Sequence, residues 1–252
     1  MVEEELAGGN ASGAVVRVGD TVRKPWTAST PSVQRFVDAL RVAGVDAAAP
    51  LGRDDEGRQV LEFVPGRLAI DGRRLSRAEL QRVGSMVRQI HDASQNFTPD
   101  PDDVWDTAIA APGDDLVCHN DLAPWNLIIG ERWVFIDWDA SAPSTRLWDL
   151  AYAAQAFALN DTTRSVWESA RDLRAFVDGY RAGPALRADL PMAMTQRTAA
   201  MYDLLRSSHA AGNEPWASMF TGGHGEHWSA AGRYVTAHQK EWLAALTRPE
   251  RR

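Results

Sequence analysis

Asp121, Asn126 and Asp137 are the residues of this 252-residue chain whose types and spacing best suit chemistry. Asp121 and Asn126 share the loop His119-Asn120-Asp121-Leu122-Ala123-Pro124-Trp125-Asn126. The apolar runs Leu127-Ile128-Ile129 and Trp133-Val134-Phe135-Ile136 then flank Gly130-Glu131-Arg132 and end on Asp137. A hairpin returns the chain to near its start, so two carboxylates and an amide are expected to converge on one point. One carboxylate there can act as a general base, while the other and the amide oxygen offer hard ligands to a divalent ion, magnesium suiting them best. These are the requirements of phosphoryl transfer. Taken singly, each residue would serve equally as a turn cap, a common fate of Asp and Asn. The joint spacing is what favours a site for a metal-bound phosphate.

The flanking elements divide the chain in two. Residues 14–24 read as a hairpin about Gly19-Asp20, preceded by the glycine-rich loop 7–13. There Gly9 and Ser12 would let backbone amides approach a phosphate, although an ordinary polar loop has the same composition. Val33, Phe36, Val37 and Leu40 fall at helical spacing within residues 32–42, and Gly44 ends the helix. Residues 51–53 and 59–64 read as strands about an Asp54-Asp55-Glu56-Gly57 turn. Residues 1–64 are thus a small β-sheet with one helix, and residues 65–252 are mostly helical, an α+β chain. In the second part, Ser76 and Glu79 form a capping box stapled by Leu75 and Leu80, and Val83, Val87 and Ile90 continue the buried stripe. Residues 99–115, rich in Asp, read as a solvated connection. Helices are expected over 147–159, over 166–180 with a stop at Gly183-Pro184, over 192–211 and over 228–246. His91 reads as a packed or capping histidine. His224-Gly225-Glu226-His227 lacks zinc-helix spacing and reads as a surface turn.

Composition excludes several classes. Hydrophobic residues at 44% and charged residues at 24% are globular values. The net charge of −7 disfavours nucleic acid and anionic membranes as partners, yet leaves a cationic small molecule open. Cys118 is the only cysteine, so neither an intrachain disulfide nor a thiolate zinc cage can form, which fits a reducing cytosol. The acidic amino terminus and the lack of a long apolar run predict a cytoplasmic protein without a membrane segment.

His119-x-Asp121-x-x-x-x-Asn126 and Ile136-Asp137-Trp138, with Ile90-His91-Asp92 before them and Arg146-Leu147-Trp148-Asp149-Leu150-Ala151-Tyr152 after, resemble the aminoglycoside phosphotransferase family. The resemblance implies the two-lobed fold of protein kinases, with residues 1–64 as the nucleotide lobe and 65–252 as the catalytic and substrate lobe. It implies an ATP-dependent, or GTP-dependent, magnesium-requiring kinase that phosphorylates a hydroxyl of a small molecule, an antibiotic or a metabolite. Asp121 would be the base, Asn126 and Asp137 the metal ligands, and His119 a support for the loop. Asp139 would be a second ligand, a substrate contact or a cap, while Asp149 is structural and Trp125 and Trp138 pack. Gly9 and Ser12 would cover the triphosphate. Lys24 would reach the α- and β-phosphates, with Arg23 as its rival by one step of strand register. Glu62 and Val64 would belong to a hinge that offers backbone groups to adenine, so that side-chain changes there matter little. The helix over 32–42 has no glutamate to pair with Lys24, leaving Gln34 and Asp38, of which Asp38 is preferred. That gap motivates the alternative of a catalytically silent kinase-like binder or immunity protein. Nothing in the chain selects monomer over dimer.

Overall fold

The computed structural model describes residues 3–6 and 15–248. Its amino-terminal part is an antiparallel sheet in the order β1-β2-β3-β5-β4, built from β1 (Glu4–Glu5), β2 (Val16–Val18), β3 (Thr21–Lys24), β4 (Pro50–Arg53) and β5 (Gln59–Glu62). The β2–β3 turn is the expected Gly19 position, at φ +61°, where a side chain would be strained. α1 (Thr30–Val42) stands between β3 and β4 and starts earlier than the periodicity suggested, because Pro31 suits a first helical turn. Phe36, Val37 and Leu40 of α1 are buried in one apolar cluster with Leu80, Val83 and Val87 of α2 (Arg77–Ser94). The small lobe is therefore anchored on the large one by a helix-to-helix contact. The capping box of α2 is present in full, with Ser76 accepting from the Glu79 backbone and the Glu79 carboxylate accepting from the Ser76 backbone.

Two small sheets follow. β6 (Arg67–Leu68) joins β8 (Leu127–Ile129), which pairs with β9 (Trp133–Phe135), and β7 (Leu116–Cys118) pairs with β10 (Ala142–Ser144). The helical remainder comprises α3 (Arg146–Ala154), α4 (Val166–Tyr180), α5 (Pro184–Ala211), α6 (Trp216–Met219), α7 (Gly225–Ala237) and α8 (Gln239–Thr247). This is the α+β, two-lobed architecture expected.

Several boundaries differ for identifiable reasons. α3 changes at Gln155 to a π-helical turn that runs to Leu159. α4 ends on Arg181 in the left-handed region, so Gly183-Pro184 opens α5 rather than closing α4. The expected helix over 228–246 is two helices broken at His238, and His224 to His227 is helical rather than a surface turn, with His227 bonded to Asn160. The acidic connection is partly neutralised, since Arg35 of α1 pairs with Asp100 and Asp103. No helix among the described residues is long and apolar enough to cross a membrane.

Candidate active site

The β8–β9 hairpin creates the site by register. Leu127 pairs with Phe135, and the next step outward is closed by the Ile136 amide donating to the Asn126 carbonyl at 2.9 Å. Asn126 and Asp137 consequently leave the hairpin side by side. The Asn126 amide nitrogen donates to a carboxylate oxygen of Asp121 at 2.7 Å and to the Asp121 carbonyl at 3.0 Å. Its Oδ1 is therefore not needed for the loop and is available to a cation. Asp137 lies at φ +63°, ψ +63°, a left-handed conformation uncommon outside glycine, although asparagine and aspartate adopt it more readily than other residues. Strain of this kind gathers where a side chain must be aimed.

His119 is fully buried and works within the loop. Its Nε2 donates to the Ile136 carbonyl at 3.1 Å, and its Nδ1 accepts from the Asp121 amide at 3.3 Å. Burial lowers its pKa, so the imidazole is neutral in that tautomer. Asn120, also left-handed, donates its backbone amide to Asp149 at 2.8 Å, and His91 holds the other Asp149 oxygen at 2.9 Å. His91, Cys118 and Asp149 bring ligand-type atoms within 4.8 Å of one another. Here those atoms serve loop anchorage, because His91 also meets the Tyr180 hydroxyl at 2.8 Å and burial pushes the Cys118 thiol far above its usual value.

Lys24 settles the register question. It is buried, while Arg23 points the other way, to Asp54 at 3.2 Å. The Lys24 ammonium contacts Asp137 and lies 2.6 Å from an Asp139 oxygen. Burial acts to lower its pKa, but the two carboxylates outweigh that and the net shift is upward. Asp38, the expected partner, is exposed on α1. Metal-type carboxylates thus stand in for the missing helix glutamate, and the ammonium occupies the place between them that suits a cation.

Val64 is buried in a small apolar cluster with Ala48, Ile128 and Val134, with Leu68 and Ile136 packed against it. Glu62 departs from the expectation that its side chain is idle. Arg132 at the hairpin tip pairs with its carboxylate, which also accepts from the Ala49 amide at 3.0 Å. Its own amide is bonded to Ala49 at 2.9 Å. Gly9 and Ser12 lie outside the described residues.

Two neighbours of Asp121 escaped the sequence reading. Tyr152 of α3 lies near enough to the Asp121 carboxylate to favour its charged form. Arg197 of α5 stacks on the Tyr152 ring at 4.3 Å and donates to the Asn120 carbonyl at 3.2 Å. Burial raises the Asp121 pKa to about 6, while Tyr152, Asn126 and Arg197 favour its charged form. The available signal was an arginine on the buried stripe Ala193, Arg197, Met201, Leu205.

Comparison with known proteins agrees with the motif. Residues 102–190, which contain Asp121, Asn126 and Asp137, match the phosphotransferase enzyme family. Over this segment the chain is similar to phosphotransferase enzymes, in keeping with the resemblance to aminoglycoside phosphotransferases. The trifolitoxin immunity protein of Rhizobium leguminosarum bv. trifolii is 28% identical over 190 residues, 69% of this chain and 72% of that protein. Among solved structures, an amicoumacin kinase in complex with AMP-PNP, Ca2+ and Ami superposes with a TM-score of 0.68 at 14% identity, covering 95% of this chain and 88% of that one. A spectinomycin phosphotransferase in complex with ADP and spectinomycin gives 0.64 at 12% identity, covering 96% and 94%. At such identities the likeness is one of fold.

Proposed function

We propose that this chain transfers the γ-phosphoryl group of ATP to a hydroxyl of a small antibiotic-like molecule, as a resistance or self-immunity enzyme. The observation that carries the reading is the convergence of Asp121, Asn126, Asp137 and Lys24, with Asn126 bonded to Asp121, Asp137 leaving the hairpin beside Asn126, and Lys24 in contact with Asp137. Asp121 accepts the hydroxyl proton as the new O–P bond forms and the bond from phosphorus to the ADP oxygen breaks, the electron pair leaving with ADP. A carboxylate with a pKa about 6 is ionised at neutral pH and is a better proton acceptor than an ordinary one. Asn126 Oδ1 and Asp137 would hold magnesium, which when bound supplies neutralisation of phosphate charge. Lys24 would turn from Asp137 to the phosphates, with Asp139 remaining as its anchor. Gly9 and Ser12 would cover the triphosphate, and the hinge over Glu62 and Val64, at a lobe boundary between residues 64 and 65, would offer backbone groups to adenine. Glu62 would contribute less by contacting the base than by tying the hinge to Arg132.

The ligands bound in the neighbouring structures, AMP-PNP with Ami and ADP with spectinomycin, support nucleotide use and an antibiotic-like acceptor, and the immunity relative supports a protective role. The test is magnesium-dependent ADP formation across a panel of hydroxylated antibiotics. Wild type should turn over with at least one acceptor, and Asp121→Ala should lose about a hundredfold or more in kcat. One observation favours a second reading, a silent ligand-binding protein: Lys24 already occupies both Asp137 and Asp139. No ADP with any acceptor, together with unchanged ligand binding in Asp121→Ala, would select it.

A further inference from the structure

The β8–β9 hairpin that carries Asn126 and Asp137 at its base is fastened at its tip to the other half of the chain. There the Arg132 guanidinium spends three nitrogens on two carboxylates: Nη1 pairs with Glu62, Nη2 pairs with Asp46, and Nε donates to both Asp46 oxygens at 3.1 Å. Glu62 closes β5 and Asp46 lies between α1 and β4, so both precede the proposed lobe boundary while Arg132 lies beyond it. The second Glu62 oxygen accepts from the Ala49 amide at 3.0 Å and lies 3.7 Å from Arg41. Burial acts to raise the Glu62 pKa, but the Ala49 amide and the Arg132 charge outweigh it and the net shift is downward.

Backbone contacts run along the same seam. Ala47 forms a parallel bridge with Phe135 of β9, and Val64 is buried with Ile128 and Val134. At the turn, a Cβ on Gly130 would stand 2.4 Å from the Pro65 carbonyl oxygen, so glycine is what lets the hairpin tip lie on the chain that leaves β5. From Asn126 to Gly130 the hairpin runs roughly 13 Å, at about 3.3 Å per strand residue. A ligand held at both ends of a stiff frame gains affinity, because engaging one end presents the other at a high effective concentration. Loosening an anchor of the frame forfeits that gain and leaves the contacts at each end in place.

We infer that the β8–β9 hairpin is a ruler for the nucleotide and that Arg132 is the positioning residue that sets it, holding the hinge at a fixed distance from Asn126 and Asp137. Arg132 acts through Glu62 and Asp46 rather than on the phosphates. A nucleoside triphosphate whose base is held over residues 62–64 then delivers its phosphates to the metal ligands in register. Lysine replaces Arg132 only in part, because a single ammonium lacks the planar fork that spans two carboxylates. The inference rests on the reading of Glu62 and Val64 as the hinge and of Asn126 and Asp137 as metal ligands.

The readout is the coupling between magnesium and nucleotide, taken as the ratio of the AMP-PNP dissociation constants in EDTA and in excess magnesium. Isothermal titration calorimetry on wild type, Arg132→Met and Arg132→Lys measures it. In wild type, magnesium should tighten AMP-PNP about tenfold or more. Arg132→Met should shrink that ratio about threefold or more, the scale open to a partly exposed ion network, and Arg132→Lys should fall between the two. A role confined to stabilising the fold would weaken both constants by one factor and leave the ratio unchanged. An unchanged ratio in Arg132→Met, or a wild type that shows no AMP-PNP binding or no magnesium effect, would overturn the inference. ADP formation across the antibiotic panel is measured alongside. Turnover with an unchanged ratio sinks only this inference, and a reduced ratio without turnover sinks only the kinase reading.

Discussion

The Lys24 ammonium lies 2.6 Å from an Asp139 carboxylate oxygen and touches Asp137 as well, so the residue expected to serve phosphates is held by residues expected to serve a metal. The pair spans the cleft from β3 of the sheet to the segment after β9. Because α1 supplies no glutamate, the resting cleft balances its own charges with a lysine where a cation would otherwise sit.

Removing that lysine should therefore expose a cation site. In Lys24→Met, Asp137 and Asp139 lose their common partner. The unliganded protein should melt earlier, and magnesium alone should raise its melting temperature more than it does in wild type. Thermal melts with and without magnesium, in the absence of nucleotide, measure this. An equal magnesium shift in both proteins would mean that the two aspartates do not compete for lysine and metal.

The pH dependence of stability has a local source in the capping box. Arg73 and the Ser76 amide and hydroxyl hold the Glu79 carboxyl down to about 2 from an ordinary 4.5. A carboxylate with a depressed folded pKa contributes stability that is complete above the unfolded value and vanishes as pH falls through the folded one. Glu79→Gln keeps the box geometry but removes the charge. Wild type should exceed it in stability above pH 4.5, and the gap should close by about pH 2. Denaturant titrations of both proteins at several pH values decide; a gap independent of pH would place the effect in the box geometry.

The residues legible in the sequence are those whose signals are local. The Asp121–Asn126 loop, the Ser76–Glu79 box and the 166–180 helix each carry their own spacing, and α4 spans Val166–Tyr180. What depended on tertiary placement was not legible. Whether Lys24 or Arg23 faces the cleft is a matter of strand register. Arg197 reads as one charge on a long helix until α5 is seen packed against Tyr152. Glu62 looks like a hinge residue until Arg132 arrives from the hairpin, 70 positions on. Glycine in His224-Gly225-Glu226-His227 suggested a turn, yet Gly225 begins α7 because its buried position faces Phe220, where a Cβ would come within 2.6 Å of the ring.

Two helix-interior glycines carry a packing role of the same kind. A Cβ on Gly84 of α2 would stand 2.0 Å from the Phe176 carbonyl oxygen, and one on Gly179 of α4 would stand 2.0 Å from that of Gln81. Each helix thus lays its glycine against the other's backbone. Although alanine is the better helix former, Gly84→Ala should destabilise the protein by roughly 1–3 kcal/mol, since backbone must move to make room. A fall in the urea midpoint with an unchanged slope is the expected result. A rise in the midpoint would show that α2 and α4 can separate without cost.

Asp149 should matter most for holding the catalytic loop. Its two oxygens accept from the Asn120 amide at 2.8 Å and from His91 at 2.9 Å, and both His91 and Asp149 are fully buried. Asp149→Ala leaves two buried donors without an acceptor and should cost roughly 3–5 kcal/mol. Asp149→Asn can still accept one of the bonds but sets an amide hydrogen against the other donor, a cost of about 1–3 kcal/mol. Tyr180→Phe removes the outer bond to His91 and the 3.3 Å bond from Arg146, and should cost about 1–2 kcal/mol. Since Asn120 adjoins Asp121, both Asp149 variants should lose turnover even well below their melting temperatures, whereas Tyr180→Phe should keep it. Chemical denaturation paired with ADP-formation assays at low temperature tests the ranking. A Tyr180→Phe variant as unstable and inactive as Asp149→Ala would shift the anchor of the loop from the aspartate to the tyrosine.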